Sequence, residues 1–295
     1  MTEGLANSLQ EFLFLTAPHV ALGATLAGIL GLLIGSFLNV VIHRMPKMMQ
    51  RESDNYVASE TGKPLPHQDR YNLTVPRSAC TKCGHAISAI ENIPVISYLA
   101  LRGKCRACKA PISMRYPIVE LCTGLLSAVL IWRFGFGLAG MATLLFAWLL
   151  IAMSCIDADT QLLPDDLTLP LLWIGLLVNL NATFVPLREA VIGAAIGYVS
   201  LWLIYWAFKL LTGKEGMGYG DFKLLAALGA WLGWTMLPMI VLLSSLVGAV
   251  VGISLIIGGR GRDNPIPFGP YLAAAGMLAL LFGQTLTQQY LQWIQ

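Results

Sequence analysis

The sequence predicts an all-α polytopic membrane protein of about eight transmembrane helices, with a cytoplasmic zinc-binding loop domain between helices 1 and 2. Three observations predict it. Of 295 residues 56% are hydrophobic and only 12% are charged, with a mean hydropathy of +0.68, against about 25% charged in an ordinary soluble domain. Long charge-free runs recur along the chain, each near the roughly 20 residues that cross a 30 Å hydrocarbon core. One segment, 43–116, breaks the pattern with 12 of the 19 Lys and Arg residues, 5 of the 16 acids and both CxxC pairs. Disorder is excluded by this composition, and a disulfide scaffold by having only 6 cysteines in so long a chain.

The elements follow in order. Residues 1–19 form a periplasmic N-terminal tail with Glu3 and Glu11 but no Lys or Arg. No small-residue cleavage site follows the first apolar run, which argues against a secreted soluble protein. Residues 20–42 are charge-free and form the first span. The second, 117–132, is interrupted only by Glu120; 138–156, 167–187 and 190–208 are uninterrupted. The run 224–257 would make a helix of about 51 Å, too long for one crossing. Gly233 and Pro238 break it into a short sixth span, about 222–237, and a seventh. Residues from 267 to about 294 supply the last. Gly193 with Gly197, and Gly248 with Gly252, read as packing faces where helix backbones approach closely.

Charge placement orients the chain. By the positive-inside rule the basic segment 43–116 is cytoplasmic and the N-terminus lies outside. Alternation then puts the loops near 157–166, 212–222 and 258–269 inside and those near 133–137 and 182–189 outside. Lys209, Lys214, Lys223, Arg260 and Arg262 fall inside, and only Arg133 and Arg188 fall outside. The net charge of +7 in 43–116 (12 basic minus 5 acidic) is read as topology and not as nucleic-acid binding.

Cys80, Cys83, Cys105 and Cys108 stand as two CxxC pairs with 21 intervening residues, at the edge of the usual four-cysteine zinc spacing. Lys82, Lys104 and Arg106 favour thiolates, and a polar loop with few large apolar residues needs a staple. Redox CxxC motifs are the competing reading, disfavoured in the cytoplasm. His85 is a possible substitute ligand, and Cys122 and Cys155 read as plain core residues.

Acids gather at the same membrane face: Asp157 and Asp159 end the third span, Asp165 and Asp166 precede the fourth, and Asp221 opens the sixth within Gly218-Tyr219-Gly220-Asp221. Two carboxylates held close in a partly dry setting share a proton. The ionised member activates water while its protonated partner polarises a peptide carbonyl, with no metal and no covalent intermediate. Gly218 and Gly220 permit close approach and unusual backbone angles. Asp221 as a helix cap and Asp157 as a solvated span end are equally consistent with the composition. Spacing alone does not choose among Asp157, Asp159, Asp165 and Asp166. No Ser-His-Asp or HExxH arrangement occurs, and the segment 212–215 lacks the glycine and the Ser/Thr of a phosphate-binding loop.

These motifs carry a resemblance. The set 35–41 (GSFLNVV), 43–46 (HRMP), the two CxxC pairs, 91–94 (ENIP), 115–117 (RYP), 156–157 (ID), 218–221 (GYGD) and 265–270 (PIPFGP) resembles the type IV prepilin leader peptidase/N-methyltransferase family. It covers essentially the whole chain. The resemblance implies a membrane aspartic endopeptidase, with 117–295 as its peptidase domain and Asp157 and Asp221 as the catalytic pair. Prepilins and type II secretion pseudopilins would be cut after a glycine ending a short basic leader. The new N-terminal residue, usually Phe, would then be methylated from S-adenosyl-L-methionine. It also implies zinc on the four cysteines and, more weakly, methyl transfer linked to Gly103 and Lys104. Gly103 is equally readable as a turn within the zinc knuckle. Asp159, Asp165, Asp166 and Glu215 are the expected contacts of the basic leader, with Gly218 and Gly220 supporting the site. The partners are these substrates and the lipid of a bacterial inner membrane, with no nucleic acid; the sequence sets no oligomeric state. The alternatives are a peptidase without methyl transfer, a transporter, or an assembly factor using the zinc loop to dock. A transporter should carry ionisable groups near mid-bilayer, and only Glu120 enters a span, where Arg115 or Lys104 are candidate partners.

Overall fold

A computed structural model describes residues 2–259 and 266–294, with side chains described for 19–259 and 266–283. Nine α-helices are described: α1 (Thr2–Glu60), α2 (Ile96–Ala100), α3 (Arg115–Phe134), α4 (Leu138–Thr160), α5 (Asp165–Val178), α6 (Leu187–Thr212), α7 (Tyr219–Leu232), α8 (Leu237–Ile257) and α9 (Gly269–Ile294). Among the described residues the only β pairing is two isolated bridges, Ala79 to Ala86 and Lys104 to Pro111. Arg260, Arg262 and Pro265, which the sequence places at an inner loop and in the last motif, lie outside the described residues, as do the side chains of Glu3 and Glu11. Five helices are long and apolar enough to cross a membrane: α1 over His19–Glu60, α3, α4, α6, and α8 with the turn before it. The 14-residue helices α5 and α7 reach only about 21 Å.

The chain forms two compact units, Met1–Trp148 and Leu149–Gln295. In the first, α1 lies against α3 along small residues. A Cβ on Gly31 would meet Ser127 at 2.4 Å, and one on Gly35 would meet the Glu120 backbone at 2.7 Å. Lost packing area is thus exchanged for backbone proximity, the usual basis of helix association in lipid. Trp148 Nε1 donates to Ser127 Oγ at 3.0 Å. Cys122 is exposed on α3, which corrects its reading as a core residue: it falls on the face turned away from α1.

A second correction concerns 43–60, expected as loop but folded as a continuation of α1. The stretch has no glycine and includes three Met, two Arg and two Glu, all good helix formers, and Pro46 does not end it. The extension grips the chain that follows. Buried Arg44 donates to the carbonyls of Asn72 (2.8 Å) and Pro76 (2.6 Å). Asn55 exchanges two hydrogen bonds with the His67 backbone, at 2.9 and 3.0 Å.

In the second unit α7 is the centre. Every residue from Asp221 to Leu232 except Lys223 is buried, as expected of a helix apolar all round. Gly193 and Gly229 face each other so closely that a Cβ on either would come within 2.4 Å of the other's carbonyl oxygen, and Gly197 faces Leu225 in the same way. The Gly193/Gly197 packing face is therefore present. A Cβ on Gly248 or Gly252 would meet the Tyr271 or Ile266 side chain at 3.2 or 3.1 Å, a looser approach. The break expected in 224–257 falls at Gly233, whose φ of +76° stops α7, and α8 restarts at Leu237 with Pro238 in its first turn.

The fourth span, expected to run to 187, stops at Val178. Asn179 is the reason. Fully buried, it donates to the last carbonyls of α7, Ala230 (2.9 Å) and Trp231 (3.1 Å), and accepts from the amides of Phe184 and Val185. Those carbonyls have no partner within α7, so one side chain closes two elements at once.

Candidate functional site

The first candidate centre is the cysteine cluster. The two CxxC knuckles repeat one hydrogen-bond plan. Cys80 N–H donates to His85 O and Gly84 N–H to Cys80 O; Cys105 N–H donates to Ala110 O and Lys109 N–H to Cys105 O. Gly84 and Lys109 occupy equivalent positions and both have positive φ, +72° and +60°. The four Sγ atoms lie within 4.8 Å of one another, with 3.9 Å between Cys80 and Cys108 and 4.0 Å between Cys83 and Cys105. They could hold a metal ion. The Lys82 and Cys83 amides draw the Cys80 thiol down to about 6. The amide near His85 acts the same way on Cys83, but the Cys108 thiol and burial outweigh it and push Cys83 up to about 11. Four thiols crowded together cannot all shed protons unless a cation shares the site.

His85 is not needed as a ligand: its Nε2 lies 3.3 Å from Glu91. Glu91 accepts from the Ser88 amide and hydroxyl, both at 2.9 Å, and these bonds hold its carboxyl at about 2. Arg106 of the second knuckle approaches the same carboxylate at 3.8 Å. Glu91 thus ties the two knuckles together, a role that sequence spacing did not reveal. Gly103 sits at φ +66°, where an added Cβ would meet the Tyr98 hydroxyl at 2.7 Å, and Lys104 follows in the bridge to Pro111. Both belong to the turn that enters the second knuckle.

The second candidate centre lies in the Leu149–Gln295 unit. Asp157, near the end of α4, and Asp221, in the first turn of α7, are both buried and within electrostatic reach of each other. Asp157 Oδ2 accepts the Gly269 N–H at 2.9 Å. That amide opens α9, where backbone donors lack intrahelical acceptors. Asp221 Oδ1 is buried without a hydrogen-bond partner. Asp221 is not a side-chain cap of α7, whose Gly218 end lacks one. Gly220 packs on Leu163, which a Cβ there would meet at 2.6 Å, whereas Gly218 has open space around it.

The remaining predicted acids divide. Asp159 and Asp166 are exposed. Asp165 is engaged by Lys223, whose Nζ lies 2.6 and 2.7 Å from its two oxygens. Glu215 pairs with Lys209 at 2.9 Å, and that cation holds the Glu215 carboxyl below the usual range. Reasoning from the sequence missed Gly269 and Leu163. The 265–270 motif was the available signal for Gly269, but nothing in it showed that a backbone amide would reach a carboxylate 112 residues earlier.

The Bacterial Peptidase A24 N-terminal domain matches residues 29–134 and the Type IV leader peptidase family matches residues 144–253. A prepilin leader peptidase/N-methyltransferase of Aeromonas salmonicida is 59% identical over 276 residues, covering 92% of this chain and 94% of its own. The chain belongs to the prepilin leader peptidase/N-methyltransferase family. A Pseudomonas aeruginosa member is 58% identical over 90% of this chain and 92% of its own, and a Burkholderia pseudomallei member 56% identical over 86% and 84%. No solved structure matches. Within the family regions, the cysteine cluster falls in the N-terminal match and both aspartates in the peptidase match.

Proposed function

We propose that this chain is a bifunctional prepilin peptidase: an aspartic endopeptidase that removes the short basic leader of prepilins and pseudopilins after a glycine, and an N-methyltransferase acting on the residue so exposed. The observation that carries the proposal is the buried Asp157 and Asp221 pair in a chain 59% identical to a peptidase/methyltransferase. Gly269 holds Asp157 Oδ2, which leaves Oδ1 to draw a proton from water. Asp221 Oδ1, without a partner, is open to the proton the two carboxylates share. The activated water attacks the carbonyl carbon after the leader glycine while the protonated carboxyl donates to the carbonyl oxygen. The proton then passes to the leaving amine.

The topology belongs to the same reading: eight spans, the N-terminus outside, and both the site and 43–116 on the cytoplasmic face of the inner membrane, where a substrate's scissile bond emerges from the bilayer. With Asp165 and Glu215 engaged by lysines, recognition of the basic leader falls first on Asp166, in the first turn of α5. Zinc is the metal the cysteines suit. Four sulfurs bound at about 2.3 Å in a tetrahedron stand roughly 3.8 Å apart, close to the 3.9 and 4.0 Å found. S-adenosyl-L-methionine, when bound, supplies the methyl group.

The test uses purified full-length protein with a leader-bearing prepilin, and labelled methyl donor in parallel. Asp157→Asn and Asp221→Asn should each lower cleavage by about 10³-fold or more at unchanged protein level. Leader removal by either variant at the wild-type rate would discard the pair. Cleavage without methyl incorporation in the wild type would reduce the protein to a peptidase alone.

A further inference from the structure

Between the two knuckles the chain contains a stretch that the metal cluster does not use. Residues 92–101 carry no charge, in a segment otherwise dense with Lys and Arg. They include α2, and Ile93, Ile96 and Leu99 among them, with Ile90 just before, are exposed. Ile90 is 74% exposed, Ile96 65% and Leu99 67%. Several large apolar side chains exposed within one ten-residue stretch call for a covering surface.

The position of this stretch is fixed by Glu120. That carboxylate is buried on α3, beneath the close approach of Gly35, and its Oε2 accepts the Val95 N–H at 2.8 Å. Val95 has φ of +59°, a conformation a β-branched residue adopts only when its surroundings impose it. The imposed turn lifts the apolar face and keeps it at the level of Glu120. α3 begins at Arg115, so that level is roughly 7.5 Å along a membrane-crossing helix. There α3 turns Ile118 and Leu121 outward, 52% and 47% exposed. Tyr116 is also exposed at this end and Trp132 at the other, the positions at which aromatic side chains mark the two membrane interfaces. α3 thus presents apolar side chains outward at the depth at which Glu120 holds the Val95 amide. Arg102 and Lys104, both exposed, follow directly, where anionic headgroups would meet them.

We propose that residues 90–99 are seated in the interfacial layer of the bilayer, with Glu120 as the pin that holds them there. The occupant of the Ile90/Ile96/Leu99 face is lipid acyl chain, in the manner of a short interfacial amphipathic segment. The zinc knuckles on either side are thereby laid against the membrane surface. This reading does not depend on either proposed activity.

The test places the full-length zinc-loaded protein, without substrate, in nanodiscs of phosphatidylethanolamine and phosphatidylglycerol carrying a diazirine-acyl lipid. After illumination, mass spectrometry should find lipid adducts on 90–99 at a yield within about threefold of those on 118–129, and background only on 61–66. Absence of adducts on 90–99 while 118–129 is labelled would overturn the proposal. So would a photo-crosslink from Leu99 to a second copy in place of lipid. A second measurement addresses the pin. Glu120→Leu should speed hydrogen exchange of the 93–100 amides by about tenfold or more. Glu120→Gln, whose amide oxygen still accepts from Val95, should stay within about threefold, with zinc content unchanged in both. Equal exchange in Glu120→Leu and wild type would remove Glu120 from the role.

Discussion

At the residue scale, the feature that most sharpens the catalytic reading is the contact between Asp157 and the Gly269 amide. A Cβ at position 269 would come within 2.7 Å of Asp157 Oδ2 and 3.2 Å of Leu163, and neither can yield freely. Leu163 is also packed on Gly220, where an added Cβ would meet it at 2.6 Å. Gly269→Ala should therefore displace the carboxylate by a few tenths of an ångström or more without altering any group that touches the leader. Displacements near 1 Å cost about 10²-fold in rate, so kcat for leader removal should fall by roughly 10- to 100-fold with KM little changed. Steady-state kinetics on a soluble leader-bearing substrate decide it. A rise in KM at constant kcat would place Gly269 in substrate binding instead. Gly218→Ala, with open space around Gly218, should be close to wild type in the same assay. Gly218 and Gly220, which the sequence offers together as supports of the site, differ in the same way, since a Cβ on Gly220 would meet Leu163 at 2.6 Å and one on Gly218 nothing nearer than 3.9 Å.

At the scale of elements, α7 owes its place to groups at its two ends. Replacing Asn179 with Leu would strand the Ala230 and Trp231 carbonyls and the Phe184 and Val185 amides in a buried setting. Each orphaned group costs about 1–3 kcal/mol, so Asn179→Leu should destabilise the 149–295 unit by at least about 2 kcal/mol. A thermal melt in detergent should show a shift of several degrees, and an unchanged melt would mean that α5 and α7 are held by packing alone. Legibility in the sequence divides along the same lines. The break at Gly233 and Pro238 was readable because glycine and proline act on the local backbone. The four cysteines were readable from residue type and spacing, whereas spacing offered several acids and only the family resemblance singled out Asp157 with Asp221. The early end of α5 was not, because Asn179 acts on carbonyls 51 and 52 residues away. The helical continuation over 43–60 was missed because a polar, basic run was read as loop when its period serves contacts to 67–76. The Asp157 to Gly269 bond was hidden for a related reason: a backbone amide leaves no mark on residue identity.

At the scale of the whole molecule, the two candidate centres lie in different compact units, the cysteines in Met1–Trp148 and the aspartates in Leu149–Gln295. Each is assembled by contacts internal to its unit: the knuckles by their own turns and by Glu91, the aspartates by α4, α7 and the start of α9. Stability need not be shared between such units. On the proposed zinc site, a strong chelator should therefore loosen the knuckles alone, since their segment has few large apolar residues and the metal would close it. Hydrogen exchange after chelation should rise by at least about tenfold in 79–112, while the α7 amides 222–232, buried along nearly their whole length, keep their protection. Conversely, Asp157→Asn and Asp221→Asn should leave one zinc per chain, measured by atomic absorption. Glu91→Gln, which keeps an acceptor for Ser88 but loses charge toward His85 and Arg106, should lower the chelator concentration needed. Because the Glu91 carboxyl is held at about 2 in the folded protein, from an ordinary 4.5, its contribution is complete above pH 4.5. It falls away as pH drops toward 2, so the comparison belongs near neutral pH, where the cysteines can also hold a metal. Exchange rising through α7 on chelation would show instead that the metal supports the peptidase unit, and the two centres would have to be treated as one cooperative structure.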